Sequence, residues 1–306
     1  MDDLGNEFEL IMRTDWAETG AANQKNHEAL DGFLPQAKAE IQHVYSPLVQ
    51  KVLGQIQEQT EATTSTNSIS VTKPFILGIT GGVSVGKSSS ANILERLFRS
   101  QESGIRVEVL STDGFLYPNR KLLDLGIMHR KGFPESFDYQ AIVTFLSSVK
   151  SSSGKLKVPL YSHATYDVVD AGKTIENPDI LIIEGLNLLQ NDPSDLNGEN
   201  PTIRDFIDLC VFLNAKEKDM KDWYVSRFLD LCNEAKKNKD SFFNRYSGLS
   251  EEGITKEAKM IWNAINSPNL RENIFPVRNR ADLILFKERD HFISKLALKN
   301  HHEHSD

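Results

Sequence analysis

Gly81, Gly86, Lys87 and Ser88 stand in the order G-x-x-x-x-G-K-[ST], in the run GGVSVGKS. That spacing is suited to holding a nucleoside triphosphate. Backbone N–H groups of such a loop wrap the β-phosphate, and glycine permits the positive φ and close approach this needs. A helix starting at the end of the loop aims its N-terminal dipole at the anion. Lys87 is then placed to bridge the β- and γ-phosphates, and the Ser88 hydroxyl to ligate Mg2+. Gly81, Gly82, Val83, Ser84, Val85, Gly86, Lys87, Ser88 and Ser89 are accordingly assigned to the nucleotide. The loop alone leaves open what happens to the γ-phosphate.

Two carboxylates and an arginine are the next chemistry-bearing groups. Val107 to Leu110 is a short apolar run that passes into Ser111-Thr112-Asp113-Gly114-Phe115. Asp113 falls just beyond a predicted strand, where open parallel sheets bind ligands. A carboxylate there accepts or orients the proton of an attacking hydroxyl. An ordinary Asp-Gly turn is the alternative, and position alone does not separate the two. Asp179 to Gly185, DILIIEG, reads as a buried strand ending in an acid, similar to a Walker B strand. Glu184 can hold a Mg2+-bound water or brace Ser88; the alternative is a solvated strand end. In WYVSRF, Tyr224 and Arg227 lie three apart on one helical face. An arginine on a mobile helical lid reaches a γ-phosphate when the lid closes and excludes water. Taken alone, Arg227 reads as a surface residue.

These groups need a scaffold, and the hydrophobic pattern supplies one. Phe75–Ile79, Val107–Leu110, Ile180–Ile183, Leu209–Leu213 and Leu283–Phe286 are short apolar runs bounded by polar residues or turn signals. Helical segments, Tyr139 to Val149, Met220 to Leu231 and Lys256 to Ile265, lie between them. The alternation predicts an α/β fold: a P-loop NTPase-type three-layer sandwich with a mainly parallel central sheet and a helical lid. Residues 1 to about 26 are polar and weakly patterned, with Trp16 as a possible anchor. From about Leu30 to Gln59, Ile41, Val44, Tyr45, Leu48, Val49 and Val52 form an amphipathic stripe, with Pro47 starting a second helix or kinking the first. Glu61 to Ser70, rich in Thr and Ser, reads as a linker. The expected division is 1–70, an N-terminal helical extension and linker packing on the core, and 71–306, the P-loop domain.

Composition narrows the class. The chain has 306 residues, 39% hydrophobic and 25% charged, with a net charge of −8. No basic stripe is present, which argues against a nucleic-acid partner. No apolar run approaches the length of a membrane span, and the acidic N-terminus has no signal core, so a cytoplasmic protein without a membrane partner is expected. Cys210 and Cys232 lack metal-like spacing and are expected to be reduced and structural. His301, His302 and His304 read as a frayed terminus.

In combination these segments resemble the type I (bacterial) pantothenate kinase family. GGVSVGKSSS, STDGFLYPN, KGFPESFD (Lys131 to Asp138), YSHATYDV (Tyr161 to Val168), PDILIIEGLN (Pro178 to Asn187), WYVSRF (Trp223 to Phe228) and INSPNLRENIFPVRNR (Ile265 to Arg280) follow in the family's order. EIQHVYSPL and Asp15-Trp16 are also similar to the family. The resemblance implies phosphorylation of pantothenate to 4′-phosphopantothenate, the first step of coenzyme A biosynthesis, with ATP and Mg2+. It implies Asp113 as the catalytic aspartate, Lys87 and Ser88 as ATP and Mg2+ residues, and Arg227 as the lid arginine. Tyr161, His163, Tyr224 and Asn266 match residues that hold pantothenate together with Asp113. Phe243 and Tyr246 fall in a stretch that contacts the pantetheine end of CoA-type ligands. The resemblance also implies a homodimer and CoA as feedback inhibitor. Gly82 and Ser89 stand where relatives often have Ser and Thr. Asn92 replaces an arginine tied to CoA feedback in some members, and Leu231 an aromatic. A kinase of uridine or of a phosphorylated sugar is the nearest rival. A nucleotide-dependent switch is another, but Asn238-Lys239-Asp240 has the wrong spacing for a guanine-specific N-K-x-D.

Overall fold

Every apolar run that ends in a turn signal becomes a strand. The computed structural model describes residues 4–20, 35–64, 73–101, 104–151, 154–195, 197–238 and 240–300. Its strands are β1 (Phe8–Met12), β2 (Phe75–Gly81), β3 (Val107–Ser111), β4 (Lys155–Ser162), β5 (Asp167–Glu176), β6 (Ile180–Gly185), β7 (Leu209–Ala215), β8 (Leu283–Lys287) and β9 (Ile293–Lys299). Its helices are α1 (Arg13–Thr19), α2 (Pro35–Glu40), α3 (Ser46–Thr64), α4 (Lys87–Arg99), α5 (Asn119–Asp124), α6 (Tyr139–Lys150), α7 (Glu217–Ala235) and α8 (Glu251–Ile261).

Seven strands form one sheet in the order β1-β9-β8-β7-β2-β6-β3. The run β8-β7-β2-β6-β3 is parallel throughout. β9 and β1 extend it antiparallel at one edge. All residues of β2, β6 and β7 are buried, which for a strand requires cover on both faces. β2 lies between β6 and β7, so the chain leaving β2 passes over β6 to reach β3. The carboxyl ends of β2, β3 and β6 therefore meet on one side of the sheet, and Gly81, Asp113 and Glu184 all lie there.

The expected fold class holds, with additions that the pattern concealed. β1 lies in a stretch read as unpatterned: its sequence, FELIM, does not alternate, and as an edge strand it leaves Leu10 and Met12 exposed. β9 and the β4–β5 hairpin are likewise new. The N-terminal stripe forms helix from Pro35 to Thr64, interrupted by a π turn at Ile41–Tyr45. That turn comes just before Pro47, whose ring cannot donate to the helical ladder, and the Ser46 N–H reaches back to the Ile41 carbonyl. Glu61 to Thr64, read as linker, continue α3; the rest of that stretch lies outside the described residues, as do His301, His302 and His304. Trp16 is buried and donates its indole N–H to the Val44 carbonyl at 3.1 Å.

A second, smaller core lies between α7 and α8, built from Phe228, Cys232, Ala235, Phe243, Ile254 and Ala258. Both cysteines are buried and free. Among the described residues no helix is long and apolar enough to cross a membrane.

Candidate active site

The loop after β2 is held by close packing. Gly81 adopts φ 140°, and a Cβ there would lie 2.5 Å from the Leu213 carbonyl oxygen of β7. Gly86 adopts φ 100°, and a Cβ there would lie 2.7 Å from the Lys287 ammonium. The nucleotide residues inferred from sequence, 81 to 89, thus run from the end of β2 to the first turn of α4. Ser84 sits at φ 61°, and its hydroxyl is buried with no hydrogen-bond partner among the described residues. The Lys87 ammonium donates to the Gly82 carbonyl at 2.9 Å, folded over its own loop. Ser88 donates its hydroxyl to Glu184 Oε1 at 3.0 Å.

Lys287, at the end of β8, donates to the Val85 carbonyl at 2.9 Å. Burial pushes its pKa down to about 8, with Glu40 opposing. Sequence reading passed over this second cation. The rule that ligands gather at carboxyl ends of parallel strands, applied to Leu283–Phe286, points to it.

Asp113 lies in a 3-10 turn, Thr112–Phe115, and its own N–H is received by the Ser111 hydroxyl at 3.3 Å. Burial raises the Asp113 pKa, while Lys87, Arg227 and Lys131 oppose it. Burial likewise raises Glu184; Lys87 opposes this and the Asp113 charge adds to it. Lys87 itself is pushed down by burial and held up by Glu184 and Asp113. The charges of Asp113, Lys87 and Glu184 act on one another, so these three side chains lie near each other at the carboxyl ends of the strands.

The β4–β5 hairpin closes another wall. Gly114 lets it approach so closely that a Cβ there would lie 2.3 Å from the Pro159 carbonyl oxygen. Tyr161 and His163 come from this hairpin, with ring centroids 5.3 Å apart, edge to face. Burial lowers the His163 pKa, and the Arg227 charge lowers it further. Lys131 is buried and ties the hairpin down, donating to Asn119 Oδ1 at 2.6 Å and to the Tyr166 carbonyl at 2.7 Å. Its ammonium lies 5.0 Å from the Tyr161 ring centroid, and burial brings its pKa to about 8. KGFPESFD was singled out in the sequence, but the lysine within it was given no role.

Helix α7, read from sequence as a lid, supplies the remaining wall. Tyr224 and Arg227 lie on α7, and Asn266 adjoins Tyr224, opposing the rise that burial gives the Tyr224 pKa. Asn266 ends a π turn, Trp262–Asn266, and its Nδ2 is buried with no hydrogen-bond partner among the described residues. Arg227 is exposed, yet its charge reaches Lys87, Asp113 and His163. Tyr166 stacks on Phe242 at 4.4 Å and meets Phe243 edge-on, so the aromatic stretch adjoins the hairpin. Tyr246 packs against Phe228. Leu231 packs on the lid core, and Asn92 is exposed on α4.

A phosphate loop, an acid at the adjacent strand end and a cationic lid define a P-loop phosphotransferase. The sequence profile of the phosphoribulokinase / uridine kinase family matches residues 76–291, and the chain belongs to that family. A protein of Mesorhizobium japonicum named pantothenate kinase is 47% identical over 236 residues, covering 76% of this chain and 74% of its own. One of Parvibaculum lavamentivorans with the same name is 42% identical, covering 90% and 87%. That of Mannheimia succiniciproducens is 38% identical over 303 residues, covering 95% of each. Among solved structures, D-glycerate 3-kinase from Cryptococcus neoformans superposes with a TM-score of 0.55 at 16% identity, over 82% of this chain and 99% of that one, a likeness of fold.

Proposed function

We propose that this chain is a pantothenate kinase, transferring the γ-phosphoryl group of ATP to the primary hydroxyl of pantothenate. The observation that carries the reading is the convergence of Asp113 with Lys87, Arg227 and Lys131 beneath the hairpin that bears Tyr161 and His163. Relatives named pantothenate kinase, matching most of the chain, support it.

Asp113 accepts or orients the proton of the attacking hydroxyl. Lys87 leaves the Gly82 carbonyl for the β- and γ-phosphates, and Arg227 comes down with α7 onto the transferring group. Lys287 and the first turn of α4 stabilise the anion from the other side. Tyr161, His163, Tyr224 and Asn266 hold pantothenate, which offers hydroxyls, an amide and a carboxylate. Such a site discriminates because a wrong acceptor leaves its buried polar groups unpaired. The Ser88 hydroxyl and the Glu184 carboxylate, 3.0 Å apart, are hard oxygen donors of the kind Mg2+ takes. These two residues would hold the ion, which supplies charge neutralisation at the phosphates.

The same reading includes a cytoplasmic enzyme, a homodimer and CoA as feedback ligand, with the exposed Asn92 weakening that feedback. Mass and phosphorus NMR spectra of the product test the central reading. A phosphate on the primary hydroxyl of pantothenate is expected. An unmodified acceptor, from protein that binds ATP, overturns it.

A further inference from the structure

The two carboxylates of the site come from different strands, and the structure ties them together through a residue with no role in the reading so far. β3 and β6 pair in parallel with Ser111 opposite Glu184. Residues opposite each other in neighbouring strands project from the same face, so the Ser111 and Glu184 side chains stand side by side. The Ser111 hydroxyl faces the Glu184 carboxylate across the pair and favours its charged form. The same oxygen accepts the backbone N–H of Asp113 at 3.3 Å and so caps the turn that presents Asp113. A hydroxyl has one proton to give and lone pairs to receive, so it can do both at once.

A second link runs alongside. Thr112, fully buried, donates its hydroxyl to Asn187 Oδ1 at 2.8 Å. It crosses so close over Gly185 that a Cβ there would lie 1.9 Å from the Thr112 hydroxyl. The segment 111–113 is thus fastened to the segment 184–187 at two consecutive residues.

We infer that Ser111 is a positioning residue that holds the Asp113 turn in fixed register with Glu184. It keeps the acceptor side of the site at constant distance from the phosphate side. Ser111 touches no reacting atom; it acts through Asp113 and Glu184. The inference rests on the kinase reading above, which supplies the roles of those two acids.

Ser111→Thr and Ser111→Val test it as a pair, because they share a shape and differ in the hydroxyl, and both suit a strand end. In Ser111→Val we expect kcat to fall about tenfold or more, as the hydroxyl that receives the Asp113 N–H and faces the Glu184 carboxylate is lost. Dissociation constants for ADP and pantothenate, read by calorimetry, stay as in Ser111→Thr, which keeps kcat near the parent. Equal kcat in the two variants, or a loss confined to the dissociation constants, overturns the inference. A second readout is independent of the acceptor. In protein without nucleotide, the Asp113 amide exchanges with solvent faster in Ser111→Val than in Ser111→Thr. Equal exchange overturns the inference even where the parent phosphorylates pantothenate. Faster exchange in a parent that does not phosphorylate it leaves Ser111 in place and removes the acceptor assignment.

Discussion

Gly114→Ala tests the contact between the base and the substrate hairpin. Gly114 is buried in the turn that presents Asp113, and the atom facing it is the main-chain oxygen of Pro159 in β4. An added Cβ would lie 2.3 Å from that oxygen, and a backbone atom cannot swing aside as a side chain does. Gly114 is not among the residues with positive φ, so the methyl group itself is the perturbation. To reach a tolerable separation the hairpin must retreat by roughly 0.7 to 1 Å, and an ångström of misplacement at a reacting centre costs about a hundredfold in rate. Tyr161 and His163 move with the hairpin, whereas the phosphate loop is carried by β2 and α4. The expected result is a fall of about two orders of magnitude in kcat/KM for pantothenate, with ADP affinity unchanged by calorimetry. Parent-like kcat/KM in folded Gly114→Ala would refute the reasoning, and so would an equal loss of ADP affinity.

Other perturbations separate the remaining parts of the site. Asp113→Asn keeps ADP binding and loses several orders of magnitude in turnover, measured as single-turnover phosphoryl transfer; near-parent turnover removes Asp113 from the chemistry. The same variant has a stability signature. Burial raises the Asp113 pKa in the folded protein, so the folded state holds that proton more tightly than the unfolded chain does. The parent therefore loses stability as pH rises from the usual carboxylate range through the raised value. Asp113→Asn melts higher than the parent at neutral pH, and the gap closes in acid. The Lys87, Arg227 and Lys131 charges limit its size and Glu184 adds to it, and a gap that widens in acid contradicts the direction. Lys287→Met weakens ADP binding by roughly tenfold and leaves the KM for pantothenate unchanged, measured by calorimetry and steady-state kinetics. Trp262, fully buried and 5.6 Å from the Tyr224 ring, costs about 3 to 5 kcal/mol on truncation to Ala, read by chemical denaturation, and raises the KM for pantothenate as Tyr224 loses its support.

The parallel core was legible because its strands are buried on both faces and read as unbroken apolar runs between turn signals. β1, β9 and the β4–β5 hairpin were not, because they are edge or outlying strands, solvated on part of their surface. Lys157, Lys173, Lys295 and Lys299 break their apolar pattern. The phosphate loop was readable because its chemistry depends on a local spacing. Asp113 and Glu184 were readable as strand-end acids with candidate work, and the family resemblance favoured the catalytic reading of Asp113 over an ordinary turn. Lys131, Lys287 and Ser111 reach the site through tertiary contacts: a lysine across to the hairpin, another across to the phosphate loop, and a hydroxyl across the β3–β6 pair. No local spacing announces such contacts. Only the strand-end rule, pressed as far as β8, finds one of them.

The most direct test of the central claim is ADP release from Mg·ATP, followed with and without pantothenate and with uridine as the control acceptor. The account predicts a large rate that depends on pantothenate and is indifferent to uridine. ADP release that pantothenate does not stimulate, or that uridine drives instead, would contradict it.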